Sequence, residues 1–480
     1  MIFDIAIIGA GVIGGMLARE LSRYQLSVCL LEKENDVACG ASRANSGIIH
    51  GGFDPHPGTL KAKLNTAGVP LLYEAAKALH VPHIQNGSMV CAFGKEEHAG
   101  LEALYQRGIE NGIEQMKLIT GDEARLLEPQ LSKDVTMVLH VPTAGIICPY
   151  ELTIAAVGNA MDNGVALKRN FETVDIQKNE VFTLTSAAGE KVPARWVINC
   201  AGGYSDQIAK LAGDNFFQII PRAGEYLLLD KKEGRRVKHT IFQLPSKAGK
   251  GILVSPTVDG NLLTGPTASH VETPDSRDVT PVGVEQVQKL AKRSVPSVDF
   301  RQVITSFTGV RASEESDDFI LCLSEKVPGL VHAAGIDSPG LTCCVSIAQY
   351  VVELLAEAGL PLQKKDSWNG TREDPHGFRT MTDEEKNEMI RENPNYGKIV
   401  CRCETVSEGE IRSAIRRNPT ARDVDGVKRR TRSGMGRCQG GFCGPYIMKL
   451  LSEELGIPME AVTKSGAGSE MVVERIGEAE

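Results

Sequence analysis

Aromatic side chains are scarce in this chain, 5% of its 480 residues with only two tryptophans, and long apolar runs are scarcer still. The longest, around residues 5–18, is broken by four glycines and is shorter than a membrane span requires. No basic segment with an apolar core stands ahead of it, so no secretory signal is expected. Positive charge is in short supply too. With 53 Lys and Arg against 61 Asp and Glu the net charge is −8, which argues against nucleic acid as a partner. These absences fit a soluble cytoplasmic protein with no direct membrane span. What the chain has in plenty is glycine (49) and, for such a compartment, cysteine (12). Twelve cysteines in reducing surroundings read as core thiols or ligands rather than disulfides, and their spacing has to decide which. The length allows two or three domains with cores of their own.

The first glycines form a pattern. Phe3 to Ile8 is an apolar run of strand length, Gly9-Ala10-Gly11-Val12-Ile13-Gly14 follows, a helical period continues through Leu17, Leu21 and Tyr24, and a second apolar run ends at Leu30-Leu31-Glu32. This predicts a βαβ unit that holds a dinucleotide. Gly9 permits the tight turn, Gly11 lets backbone approach a pyrophosphate, and Gly14 lets helix and strand close up. Glu32, eighteen residues beyond Gly14, is placed to take ribose hydroxyls.

Cys39 to Gly52 is poor in charge and rich in small residues, as suits a segment running beneath a flat cofactor. It carries His50, which reads either as a packed histidine or as an acid–base group. Residues 60–80 and 151–162 read as helices, and Arg195 to Tyr204 as a strand ending in Gly202-Gly203 at a helix start. From Pro221 to Phe307 strand patterns dominate, which predicts a largely antiparallel sheet covering the substrate. Thr308-Gly309-Val310-Arg311 ends it. With Glu314, Glu315, Asp317 and Asp318 close behind, Arg311 is either a surface ion pair or a fork for a carboxylate or phosphate. Leu330 to Thr342 is again strand, glycine turn and helix start, and Cys343 and Cys344 in the following helix read as core thiols. Residues 361–398 are polar and lack apolar periodicity except around Met381–Ile390, so a linker is placed at 366–398.

Beyond it stand Cys401-Arg402-Cys403 and, thirty-four residues on, Cys438-Gln439-Gly440-Gly441-Phe442-Cys443. Four cysteines in two close pairs point to a metal centre. The first pair is tight for zinc and the second loose. Arg412, Arg416, Arg417, Arg422, Lys428, Arg429, Arg430, Arg432 and Arg437 fill the interval, and such cations would stabilise an anionic iron–sulfur cluster. Ser407 with Glu410 predicts a capping box for a helix at 408–417, and a second helix is expected at 445–455. A cluster moves electrons singly whereas C–H oxidation delivers a pair; a flavin connects the two, so FAD fits the first site better than a nicotinamide.

These residues carry a resemblance. The glycine fingerprint, Asn45-Ser46-Gly47-Ile48-Ile49-His50-Gly51-Gly52, Asn199-Cys200-Ala201-Gly202-Gly203, Gly309-Val310-Arg311 and Ser338-Pro339-Gly340-Leu341-Thr342 make residues 1–365 similar to the D-amino-acid-oxidase-like FAD oxidoreductases. The tail resembles the BFD-type [2Fe–2S] domain, and the combination resembles the large-subunit family of anaerobic glycerol-3-phosphate dehydrogenases. The resemblance implies an α/β fold. A Rossmann-like FAD-binding domain (about 1–85, 145–215 and 325–365) would carry an inserted antiparallel-sheet substrate domain (about 86–144 and 216–324), followed by a helical BFD-like domain at 399–456 and a tail at 457–480. It implies FAD held by Gly9, Gly11, Gly14, Glu32, Ser42, Ser46, Val174, Ala201, Gly202, Gly335, Gly340, Leu341 and Thr342, and a [2Fe–2S] cluster on Cys401, Cys403, Cys438 and Cys443.

On this reading FAD oxidises sn-glycerol 3-phosphate, or another small anionic metabolite, with His50 as base and Arg311 as anion clamp, helped by Arg222 and Lys250. Electron-transfer partner subunits are implied, a second flavoprotein among them, and any membrane would be reached only through these. The segments Asn45 to Leu64 and Arg222 to Tyr226 look as much like L-2-hydroxyglutarate oxidases, which keeps an L-2-hydroxy acid open as substrate. A module that only transfers electrons or assembles partners is the reading from another class.

Overall fold

Five parallel strands form the centre of the first domain, lying side by side in the order Leu330–Ala334, Lys191–Asn199, Phe3–Ile8, Val28–Leu31 and Ala166–Lys168. Chain order therefore reverses between Phe3–Ile8 and Lys191–Asn199, and the crevice beyond the carboxyl ends of those two strands is where such a sheet binds ligands. Ile5, Ala6, Ile7, Val197 and Ile198 are fully buried, because helices cover one face of the sheet and Phe171, Ile176, Phe182 and Leu184, with helix Ser205–Leu211, cover the other; that is why these strands read as unbroken apolar runs and not as alternation. Helix Val12–Leu21 packs against Pro149–Asp162 and Gly340–Glu357, and the last of these packs also on Leu60–Ala78. Among the described residues, Gly340–Glu357 is the one helix long and apolar enough to cross a membrane. Cys343, Cys344, Ile347, Val351 and Leu355 on it are fully buried in the protein's own core.

This architecture comes from a computed structural model that describes residues 1–244 and 251–472. Its second sheet draws on two separate stretches of chain. Strands Ser88–Ala92, Lys117–Thr120 and Met137–Val141 join Ile220–Leu229, Thr240–Gln243, Leu253–Pro256, Leu262–Gly265, Ser269–His270 and Val303–Ser313. Pairing is antiparallel except where Thr240–Gln243 lies parallel to Ser88–Ala92. The long pair Ile220–Leu229 and Val303–Ser313 aligns Arg222 with Arg311 and Gly224 with Gly309, so the Thr308–Arg311 segment read as the end of the strand-rich stretch is itself strand, running on to Ser313. Helix Pro281–Ser294, unseen in the strand-rich reading, buries Val287 and Ala291 against this sheet.

The last domain is a hairpin, Ile399–Cys401 with Val406–Ser407, and three helices, Glu408–Arg416, Val424–Thr431 and Gly444–Leu455, around Val406, Ile411, Val427, Ile447, Leu450 and Leu451. Ser407 and Glu410 form the reciprocal capping box expected of them. Residues 366–398 are no free tether. Trp368 Nε1 donates to Ser22 Oγ (3.0 Å), Arg19 donates to the Gly370 carbonyl (2.8 Å), Arg372 pairs with Asp162 (2.9 Å), and His376 meets Glu151 (2.8 Å). Polar residues without apolar periodicity read as a linker, yet here they serve as hydrogen-bonding partners that strap the segment to the first domain. Helix Asp383–Glu392 completes it. Residues 457–472 fold back on the last domain, where Val462 is fully buried.

Candidate active site and metal centre

Strand Phe3–Ile8 ends at Gly9, whose φ of +101° suits glycine; a Cβ there would stand 2.5 Å from the Cys200 carbonyl oxygen. A Cβ on Gly14 would stand 2.0 Å from the Gly9 carbonyl oxygen, so helix and turn close up only without side chains. Gly11 caps helix Val12–Leu21 without a side-chain bond, and Ser42 Oγ accepts from the Val12 N–H at 2.9 Å. Glu32 ends the second strand. One carboxylate oxygen accepts from the Ala10 N–H (2.8 Å) and the other from the Glu34 N–H (3.0 Å), yet burial outweighs both bonds and pushes its carboxyl up to about 7.

A cavity of about 1030 Å³ opens over these groups and continues to the second sheet. Gly9, Gly11, Glu32, Ser42, Ser46, Ala201, Gly202, Gly340 and Leu341 line it at the nucleotide end, and His50, Arg222 and Arg311 at the other. Its volume and its glycine turn suit an extended dinucleotide together with a small metabolite. Four other expected contacts lie elsewhere. Val174 is on the open side of its strand, 45% exposed, and Phe171, Glu172 and Thr173 take the wall. Gly14 and Gly335 sit behind the lining. Thr342 is fully buried and accepts the His50 N–H through Oγ1 at 2.9 Å, holding the histidine's backbone and not the wall. Lys250 lies outside the described residues.

At the second end His50 is held from several sides. Asn65 donates to its carbonyl (3.0 Å), its Nε2 lies 3.2 Å from Ser338 Oγ, and its ring faces that of Phe242 with centroids 6.1 Å apart. Arg222 and Arg311 are cross-strand neighbours opening onto the same cavity. Gly224 gives the Arg311 fork its room, since a Cβ there would stand 2.9 Å from the guanidinium. Gly309 passes so close beneath Ala44 that a Cβ would meet the Ala44 carbonyl oxygen at 1.7 Å, which ties the cofactor segment to the substrate sheet. The acids that follow Arg311 in sequence pair elsewhere. Asp317 takes Lys61 at 2.8 Å, and Asp318 accepts the Leu60 and Lys61 N–H groups at 2.9 Å. Lys61, which also lines the cavity, escaped the sequence reading. It sits at a helix start with no motif to mark it, and its charge is met by Asp317 and by Asp337 (2.9 Å).

The four thiols stand as two pairs. Cys403 Sγ and Cys438 Sγ are 3.7 Å apart. Two sulfurs on one tetrahedral ion at a metal–sulfur distance of about 2.3 Å would stand about 3.8 Å apart. Cys401 and Cys443, both free thiols, are hydrogen-bonded to each other in the buried interior. The Cys443 thiol holds Cys401 down to about 5, against burial and with help from the Gly434 and Glu404 N–H groups and the Ser433 hydroxyl. Among the described residues no three ligating side chains converge on a single point. Two pairs of thiols, each with one member held below the usual thiol range, Cys401 in one and Cys438 in the other, and each approached by backbone N–H groups, fit two linked irons.

The surrounding cations do not form the halo expected around a cluster. Arg412 binds Glu408 and Glu453 and, with Arg416, Glu454. Arg429 and Arg430 reach across to Asp36 in the first domain, each at 2.7 Å. Arg432 joins Glu404, beside Cys403, to Asp259 of the substrate sheet at 2.9 and 2.5 Å. Three cations of the run thus join domains, and Arg412 and Arg416 brace the last domain internally.

A flavin-dependent oxidoreductase with an iron–sulfur domain is the class that this crevice and these thiols define. Two family models match, FAD dependent oxidoreductase (DAO) over residues 4–354 and BFD-like [2Fe-2S] binding domain over residues 399–453. The chain belongs to the DAO family of FAD-dependent oxidoreductases; its cofactors are FAD and a [2Fe–2S] cluster. It is 44% identical over 467 residues to a glycerol 3-phosphate dehydrogenase of Caloramator mitchellensis, covering 97% of each chain. A glycerol 3-phosphate oxidase of Mycoplasma genitalium is 35% identical over 76% of this chain and 97% of its own. An L-2-hydroxyglutarate dehydrogenase of Mus musculus is 29% identical over 72% and 87%. Of solved structures, FAD-bound L-α-glycerophosphate oxidase from Mycoplasma pneumoniae superposes with a TM-score of 0.74 at 33% identity, over 78% of this chain and 98% of that one.

Proposed function

We propose that this enzyme oxidises sn-glycerol 3-phosphate to dihydroxyacetone phosphate in the cytoplasm and sends the electrons through its [2Fe–2S] cluster to partner subunits, a second flavoprotein among them. The observation that carries the reading is the Arg222–Arg311 cross-strand pair in the same cavity as His50, in a chain alike over 97% of its length to a relative named for that substrate.

Two guanidiniums match the double charge of a phosphate monoester and leave its secondary hydroxyl free to face the histidine. His50 Nε2 takes the hydroxyl proton, with Ser338 Oγ fixing the plane of the ring and Thr342 and Asn65 fixing its backbone. FAD supplies the acceptor for the hydride. Thr342 thus acts on the histidine and not on the cofactor. Gly340, Leu341, Ala201 and Gly202 close the crevice around the dinucleotide, and Cys401, Cys403, Cys438 and Cys443 hold the irons.

The test is anaerobic bleaching of the flavin with sn-glycerol 3-phosphate and, separately, with L-2-hydroxyglutarate, followed by electron paramagnetic resonance of the reduced sample. Faster bleaching by the phosphate, with a signal from the reduced cluster, is expected. The relatives that act on L-2-hydroxyglutarate make the opposite preference the outcome that overturns the substrate, and a silent cluster the one that overturns the electron route.

A further inference from the structure

The cluster loop presents a surface that the chain itself does not use. Cys401 and Cys443 are buried, whereas Cys403 is exposed and Cys438 half-exposed, so the Cys403–Cys438 side of the site faces solvent. Phe442, next to Cys443, is 87% exposed, more than any other aromatic side chain among the described residues. A phenylalanine left in water beside a redox centre, in a chain where aromatics are few, marks a contact point rather than chance exposure.

Charge around it has one sign. Arg402 adjoins Cys403 and Arg437 adjoins Cys438, so the 3.7 Å thiol pair brings both arginines to the same edge. Both are exposed. Arg437 touches only the neutral Gln302 (3.3 Å), and Arg402 has no ion-pair partner among the described residues. Two acids of the same region are turned inward, and a third, Asp299 beside Gln302, is taken by Arg301. Glu404 is 3% exposed at its side chain and committed to Arg432 and Lys231, and Glu408 is 2% exposed and committed to Arg412. The outer edge of the cluster is therefore an apolar tip beside two uncompensated cations, on a protein whose overall charge is −8.

Resting on the electron route proposed above, we infer that the Phe442, Arg402 and Arg437 face is the docking site of a one-electron carrier protein with an acidic rim around its own redox centre. Opposite charge orients the encounter, and the exposed ring and the solvent-side thiols give the short approach that transfer needs. Each encounter moves one electron from the reduced cluster to the oxidised carrier. Two encounters clear the two electrons of one alcohol oxidised to a ketone, and the two protons go to solvent.

The test starts from holoprotein reduced by a stoichiometric amount of dithionite, so that it does not depend on which metabolite the flavin accepts. Rubredoxin, small and acidic, is the probe, and basic cytochrome c the like-charged control. Reduction of rubredoxin should be the faster at low ionic strength and should slow at least tenfold as salt shortens the screening length. Arg402→Glu with Arg437→Glu should cost rubredoxin at least tenfold and speed cytochrome c. Phe442→Ser should slow rubredoxin several-fold while leaving the salt dependence as it was. Each variant is checked for the paramagnetic signal of its reduced cluster. Should one lose that signal, the wild-type salt dependence decides alone. Equal rates for the two carriers, or a rubredoxin rate indifferent to salt and to charge reversal, overturns the docking site. A reduced cluster that passes no electron to either carrier overturns the electron route beneath it as well.

Discussion

Asp36 is the residue whose loss should be felt most widely outside the cofactor sites. It is 1% exposed and lies just beyond the nucleotide-binding strand, where Arg429 donates to one carboxylate oxygen and Arg430 to both, three bonds of 2.7 Å from a different domain. Taken singly, charge-assisted bonds contribute about 1.5–3 kcal/mol each, so three would sum to about 4.5–9 kcal/mol. That sum overstates the cost of Asp36→Ala, because Arg430 keeps acceptors at the Pro419 and Gly426 carbonyls, both at 2.9 Å. Arg429 has no second bonded acceptor among the described residues, its Nε lacks a partner, and only the charge of Asp423 remains near it. One buried guanidinium stranded and one partly met places the loss at about 3–5 kcal/mol, the usual cost of breaking a buried pair from one side.

The measurement is urea unfolding of the holoprotein followed by the visible absorption of the cluster, compared with the same curve followed by the flavin. Replacing all three, Asp36→Leu with Arg429→Met and Arg430→Met, should recover most of the loss, because both guanidiniums bonded to Asp36 are then gone and only the more distant Arg169 (3.8 Å), which keeps Thr420 as acceptor, loses a counter-charge. Burial alone would raise the Asp36 carboxyl, but Arg430 and Arg429 hold it well below the usual carboxylate range. The stabilisation is thus fully present above the unfolded value of about 4 and is lost as pH falls through the folded one. The gap between wild type and Asp36→Ala should be constant from pH 5 to 8 and narrow only in acid. A loss under about 1 kcal/mol, or a triple variant no better than the single one, would refute the stranded-charge reasoning.

Other expectations are briefer. His50→Ala should lower turnover by about 10²–10⁴-fold with flavin content unchanged; equal loss of both would make the residue structural. Arg311→Lys should raise KM about tenfold or more, since a point charge replaces a fork, and inorganic phosphate should inhibit the variant correspondingly less. In cofactor-free protein Glu32, pushed up to about 7 by burial, holds its proton longer folded than unfolded, so stability should fall by about 3 kcal/mol between pH 4.5 and 7 and level off above. Glu32→Gln should flatten that slope. Cys403→Ser should abolish the visible spectrum of the cluster while FAD stays bound, and an unchanged iron content would count against the four-thiol site.

The nucleotide half was legible because its signals are local. Strand, glycine turn and helix follow within twenty residues, and the capping box at Ser407 and Glu410 is a four-residue pattern. Where the reading failed, the cause lay far away in sequence. Arg429 and Arg430, between the cysteine pairs, looked like company for an anion because Asp36, their actual partner, is nearly four hundred residues upstream. Residues 366–398 looked idle because their partners Ser22, Glu151 and Asp162 are distant too. Helix Pro281–Ser294 disappeared into a strand-rich stretch, although Pro at its start and Thr280 as cap are ordinary start signals. Val174 and Thr173 differ by one position along a strand, and period two sends them to opposite faces.

The central sheet has a consequence for synthesis. Strand Leu330–Ala334 lies beside Lys191–Asn199, and the substrate sheet draws on segments on both sides of residue 200 and ends at Ser313, so a ribosome must deliver residues through 313 before the second layer can close and through 334 before the first can. Until then the nascent chain holds unpaired strand edges rich in Val, Ile and Leu. The last domain draws its core from a single stretch of about sixty residues, so it can assemble once that stretch has emerged, and Arg429 and Arg430 then meet Asp36 on a domain made before them.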